Sequence, residues 1–208
     1  MTSSRPDTRT HLVNTATSLF LNKSYGTIST SKICTSAEVN KGTFYHFFPS
    51  KAALLIAALE KYTAEAVAQL HQIQHCSLSP EQKLKALFDV PANTNAVWLE
   101  ENAPYYGCLI SNIAHELSTV DEQIRVAAAR CLHDLIEAAK PVVKEYCDSN
   151  NVSLDVGTAT ERVVALLQGG LTMAKLFKSN QHLQRLAEQA GPALLALNNQ
   201  EDREVVQG

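Results

Sequence analysis

The sequence predicts an all-α fold in which a three-helix N-terminal head, built around a helix-turn-helix, precedes a larger helical body. Apolar residues recur at intervals of three and four along most of the chain, and the alternation of a half-buried strand is almost missing. With 208 residues there is room for a small head and a body with a core of its own, divided here into residues 1–51 and 52–208. Residues 31–51, SKICTSAEVNKGTFYHFFPSK, set two short helices around a tight turn.

In chain order, a first helix is expected from Asp7 to Lys23, with Leu12, Ala16, Leu19 and Phe20 inward. A short helix and its turn bury Ile33, Ala37 and Val39, with Ser29, Thr30 and Ser31 as candidate N-caps. The next helix begins near Asn40 and places Phe44 and Phe48 on one inward face at i and i+4. A long helix from Lys51 to about Cys76 carries a stripe of Leu54, Leu55, Ala58, Leu59, Tyr62, Ala66, Leu70 and Ile73. Ser79, Pro80 and Gln82 form the start signal of a helix that carries Leu84, Leu87 and Phe88 and that Pro91 should interrupt. Pro104 and Gly107 precede a short helix ending near Leu117, and a helix capped by Ser118 or Thr119 then spans Asp121 to Tyr146, with a kink expected at Pro141. The last pair is Leu154–Lys178 and Gln181–Asn198, followed by a polar tail expected to fray.

The chemistry of the 31–51 segment suits DNA. Opposite Phe44 and Phe48, the second helix presents Lys41, Thr43, Tyr45 and His46, a set able to reach phosphate oxygens and base edges in a major groove. Gly42 permits close backbone approach. Lys51, after Pro49 and Ser50, stands at a helix start where its charge and the free N–H groups suit a phosphate. Charge is distributed accordingly. In residues 1–51 six cations oppose Asp7 and Glu38 for a net +4, leaving −7 on the rest of a chain whose total is −3.

The segment resembles the N-terminal helix-turn-helix of the TetR family of repressors, whose pattern runs roughly IAxxAGVSxGTLYxHFxxKExL. Ile33, Ala37, Val39, Gly42, Thr43, Tyr45, Phe48 and Lys51 match it, and Phe44 stands for the usual Leu. Cys34, Glu38, Asn40 and Phe47 depart from it, Glu38 by placing a charged non-glycine residue in the turn. The AEV turn followed by KG and aromatics is similar to an electrophile-responsive, NemR-like branch. The resemblance implies a homodimeric regulator of double-stranded operator DNA. Thr30, Ser31, Tyr45 and Lys51 would anchor phosphates, while Asn40, Lys41, Thr43 and His46 would supply groove contacts beside Gly42. The last two long helices would form a four-helix dimer interface, to which Ala165, Gly169, Gly170 and Ala174 bring small side chains and Leu166, Leu167 and Leu171 apolar ones. A small-molecule effector of unspecified chemistry would occupy the body, with Phe88, Trp98, Tyr105, Tyr106, Cys108, Asn112, His115, Met173 and Phe177 as candidate lining residues. In the branch with a GCL triplet the cysteine can act as a reactive thiol, which here is Cys108, with Lys175 as a candidate neighbour.

Other classes have less in their favour. Five cysteines without CxxC spacing suggest neither a disulfide framework nor a zinc knuckle, and no cofactor is expected. His71, His75 and Cys76 share a helix face but lack a fourth metal ligand, so a solvated face is the plainer reading. With no Gly-rich phosphate loop, GxSxG elbow or HExxH, an enzyme is not expected. No segment reaches the roughly 18 to 20 apolar residues of a membrane span, which predicts a cytoplasmic protein. The alternative is a helical small-molecule carrier or thiol-dependent enzyme that retains a vestigial DNA-binding head.

Overall fold

A computed structural model of the protein describes residues 7–100 and 107–207, without the side chains of 93–100 and 198–207. Among the described residues there are nine α-helices and one 3-10 turn, and no strand. The helices are α1 (Thr8–Asn22), α2 (Thr30–Ser36), α3 (Lys41–Phe47), α4 (Lys51–His75), α5 (Pro80–Glu100), α6 (Leu109–Leu117), α7 (Glu122–Ser149), α8 (Val156–Phe177) and α9 (Gln181–Gln207). The 3-10 turn, Tyr25–Thr27, lies between α1 and α2.

Contacts group the chain into two compact units, residues 1–65 with 108–132 and residues 66–107 with 133–208. This grouping differs from the division after Lys51 expected from the sequence. It adds α6, the start of α4 and the start of α7 to the helix-turn-helix, because α6 packs on α1.

In the first unit, α1 packs on α2 and α2 on α3. Leu12, Ala16, Ile33, Phe44, Leu54, Leu55, Ala58 and Leu59 are fully excluded from solvent, the stripe read from helical spacing. The α6 contribution is Leu109, Ile110, Ile113 and Leu117, all buried. At the start of α7 the cap is the Asp121 side chain, which accepts the Ile124 N–H at 3.1 Å, in place of the expected Ser118 or Thr119.

In the second unit, α9 packs against both α5 and α8. The start of α5 is a reciprocal cap: Ser79 Oγ accepts the Gln82 N–H at 3.3 Å and Gln82 Oε1 accepts the Ser79 N–H at 2.9 Å. Pro91 does not end this helix. The lost N–H bond is local, whereas buried Leu84, Leu87, Phe88 and Ala92 hold the surrounding turns in the core. Where α8 meets α9, Gly170 is buried so tightly that a Cβ there would stand 2.6 Å from Leu183 Cδ1. Lys83, almost fully buried, donates to Glu145 at 2.8 and 3.0 Å, so its charge is paired. The tail expected to fray after Asn199 instead continues α9 to Gln207. No helix among the described residues is long and apolar enough to cross a membrane.

Candidate nucleic-acid interface

The helix-turn-helix is built by short-range polar bonds that end one helix and start the next. Ser29 Oγ accepts the Lys32 N–H at 3.1 Å and starts α2. Its far end is closed by Val39 N–H donating to the Cys34 carbonyl at 3.0 Å, with Glu38 left-handed at φ 54°. Asn40 then caps α3, its Oδ1 accepting both the Thr43 N–H at 2.8 Å and the Thr43 hydroxyl at 3.2 Å. A Cβ on Gly42 would lie 3.1 Å from that same oxygen, so glycine leaves the cap undisturbed.

Burial divides α3 by face. Phe44 is completely enclosed and Phe48 nearly so, their ring centroids 6.3 Å apart. The Arg9 guanidinium covers the Phe48 ring at 5.3 Å. Lys41, Tyr45 and His46 are exposed, and Thr43 is half-buried. The Tyr45 ring meets the edge of Phe44 at 5.1 Å, which sets its direction from the core. Thr30 and Ser31 are the first two residues of α2, Thr30 half-buried and Ser31 exposed. Asn40 is exposed as well, but its oxygen serves the cap and leaves its amide group for a ligand.

Lys51 departs from the phosphate contact expected of it. Its ammonium donates to the carbonyls of Tyr25 at 2.9 Å and Ile28 at 2.8 Å and lies 3.8 Å from the centre of the Tyr25 ring. Two of its three protons are held by backbone oxygens and its charge faces a ring, so it serves the fold of the head. Desolvation lowers its pKa, and the Glu116 carboxylate acts in the opposite direction.

Glu116, at the C-terminal end of α6, was not foreseen as functional. One of its oxygens accepts the Ser24 hydroxyl at 2.5 Å and the Gly26 N–H at 2.9 Å, and the other accepts the Tyr25 N–H at 2.9 Å. Burial raises its pKa, but the bonds from Ser24, Gly26 and Tyr25 and the charge of Lys51 bring it below the ordinary carboxylate value. The only sequence signal was a charged residue after the apolar spacing of α6, which ordinarily means a solvated face.

The candidate effector residues fall in two groups. Cys108, Asn112 and His115 belong to the first unit, and Phe88, Met173 and Phe177 to the second. Phe88 is a fully enclosed core residue. His115 is exposed, since the buried face of α6 is formed by residues on the other side of the helix. Met173 and Phe177, 41% and 63% exposed, lie at the surface of α8 rather than inside a cavity of this chain. The side chains of Trp98, Tyr105 and Tyr106 lie outside the described residues.

Cys108 is the N-cap of α6, follows Gly107 at φ 68°, and is buried with no capping bond from its side chain. Beside it stands Tyr62, whose pKa is pushed well above the phenol value by burial and, after that, by the neighbouring thiol. The Leu109 N–H acts the other way on the same phenol. Lys175 is exposed in the last turn of α8, in the second unit. His71 and His75 are exposed, and the described residues hold no group of three or more His, Cys, Asp or Glu side chains arranged for a metal.

Comparison with known proteins gives this geometry its family. Residues 12–58 match the bacterial regulatory proteins of the tetR family, and residues 80–190 match the tetracyclin repressor-like C-terminal domain. The chain is 24% identical over 194 residues to the HTH-type transcriptional repressor DhaR of Mycobacterium sp. (strain GP1), covering 92% of this chain and 94% of that protein. It is 30% identical over 122 residues to the HTH-type transcriptional repressor NemR of Escherichia coli (strain K12), covering 58% of this chain and 59% of that one. The crystal structure of reduced E. coli NemR superposes with a TM-score of 0.79 at 25% identity, over 89% of this chain and 95% of the other. With its capped helix pair and helical body both accounted for, the chain belongs to the TetR family of transcriptional regulators.

Proposed function

We propose that this regulator is a homodimeric repressor, acting in the cytoplasm, that a small molecule or electrophile releases from its operator. The observation that carries the reading is α3, which encloses Phe44 and Phe48 on one side and exposes Lys41, Tyr45 and His46 on the other. Lys41, His46, Thr43 and the Asn40 amide are the groove contacts in this proposal, with Tyr45, Thr30 and Ser31 on phosphates. Lys51 is a support of the head. Two relatives named as repressors, DhaR and NemR, support the sign of regulation. The surface of α8 supports the dimer, because Met173, Leu176 and Phe177 are exposed there and the space beyond Gly169 is open. Two such heads read half-sites set about 34 to 36 Å apart, or a multiple of that.

Fluorescence anisotropy on duplex DNA from upstream of the gene, or on duplexes selected from a randomised pool, tests the reading against scrambled DNA at equal salt. Two protomers per operator with clear preference over scrambled sequence is the expected result. No preference in either set returns the protein to the carrier or thiol-enzyme alternative.

The place of Cys108 at the N-terminus of α6, where free N–H groups favour a thiolate, supports the electrophile form of the signal, and its burial opposes it. If the sensor is Cys108, N-ethylmaleimide releases wild-type protein from DNA and leaves Cys108→Ser bound. Equal release of both removes the thiol from the mechanism.

A further inference from the structure

We propose that Glu116 is a positioning residue of the DNA-binding head, and that with Lys51 it forms a latch that holds the 25–27 turn in the geometry operator binding requires. This rests on the regulator reading and names residues that control the same site. The turn is gripped from both sides. Its amide groups at Tyr25 and Gly26, with the Ser24 hydroxyl, donate to the Glu116 carboxylate. Its carbonyls at Tyr25 and Ile28 accept from the Lys51 ammonium. A single residue, Tyr25, therefore joins the two charges: its N–H meets Glu116, its C=O meets Lys51, and its ring lies beneath the ammonium and against Phe20 at 5.6 Å.

The consequence for DNA follows from where the latch is tied. Lys51 is the first residue of α4 and stands three residues after Phe48, the C-cap of α3. Ile28, on the other side of the turn, is buried and immediately precedes Ser29, the cap of α2. Fixing the turn thus fixes the start of α2 and the exit of α3, the two ends of the helix pair. Glu116 itself comes from α6, a nine-residue helix about 13 Å long with Cys108 at the N-cap position of its other end. The bonds to a carboxylate are charge-assisted and directional, so a small displacement of α6 breaks them together.

Full-length protein tests the latch on the operator and on scrambled DNA, with hydrogen exchange at the Tyr25 and Gly26 amides. Glu116→Gln keeps the shape but puts a donor where an acceptor is needed. We expect operator affinity to fall about tenfold, affinity for scrambled DNA to stay within about twofold, and both amides to exchange faster. Glu116→Asp, with a carboxylate on a shorter stem, recovers part of the loss. Should Glu116→Gln fail to fold, Ser24→Ala removes one exposed donor and carries the same comparison with a loss of about threefold. Operator affinity unchanged in Glu116→Gln, or reduced equally on scrambled DNA, overturns the latch while wild-type preference leaves the regulator reading intact. Wild-type protein without preference overturns both.

Discussion

Glu38 holds the left-handed position of the turn at φ 54°, where a residue with a Cβ is strained. It also sets a negative charge beside α3, the helix proposed to read the operator. Glu38→Gly should raise stability by about 1 kcal/mol, seen as a higher urea midpoint, and tighten binding to every sequence alike. A selective gain on one operator variant would instead make Glu38 a base contact. Lys51 shows where reading by motif stops. Its place in the pattern was legible, but its bonds depend on the fold of a turn 26 residues earlier. Lys51→Met should lower the urea midpoint and operator affinity and leave the salt slope of binding unchanged, whereas a phosphate contact would lower that slope by about one unit.

The elements most legible in the sequence were those whose signals are local. Phe44 and Phe48 at helical spacing, the Ser79–Gln82 cap and, from the α4 stripe, Leu54, Leu55, Ala58, Leu59 and Ile73 are found as their spacing predicts, while Tyr62, Ala66 and Leu70 are only half-buried. Pro91 misled because a local penalty was outweighed by the buried side chains around it. Glu116 was illegible because its partners lie about 90 residues away and two of the three are backbone amides, which no side-chain pattern reveals. The same bonds give α6 a pH signature. The folded carboxyl titrates below its ordinary 4.5, so near that pH the unfolded chain binds more protons and stability rises with pH. Its contribution is complete above about pH 5 and is lost as pH falls through the folded value. Urea midpoints at pH 7 and pH 4 should therefore differ more in wild type than in Glu116→Gln. An identical drop in both would assign the acid sensitivity to the other depressed carboxyls, Asp7, Glu81, Glu122 and Asp155.

For the whole molecule, the small residues of α8 divide between two tasks that the sequence had merged. Gly170 and Ala174 are buried and Gly170 meets Leu183, so they pack α8 onto α9 within one chain. Gly169 has open space around it, and Met173, Leu176 and Phe177 flank it at the surface. If that surface is the dimer face, Gly169→Ala should weaken self-association, read by sedimentation as a dimer constant raised about tenfold. In a face that meets only water the same change should stabilise the helix by about 1 kcal/mol and leave association untouched. Sequence pattern identified the helix and its small residues, but which side of each meets a neighbour is a property of packing.

The dependence of Tyr25 and Gly26 on a carboxylate 90 residues away also limits how this regulator can be recombined. A chimera joining residues 1–58 to the body of another regulator would retain every side chain assigned to DNA. It would still lose the acceptor of two amides unless the incoming body offers an acid at the same turn of its α6. Transfer of this head onto another body is thus constrained by a residue outside the helix pair, and in this chain a change at position 116 removes bonds on which the head rests.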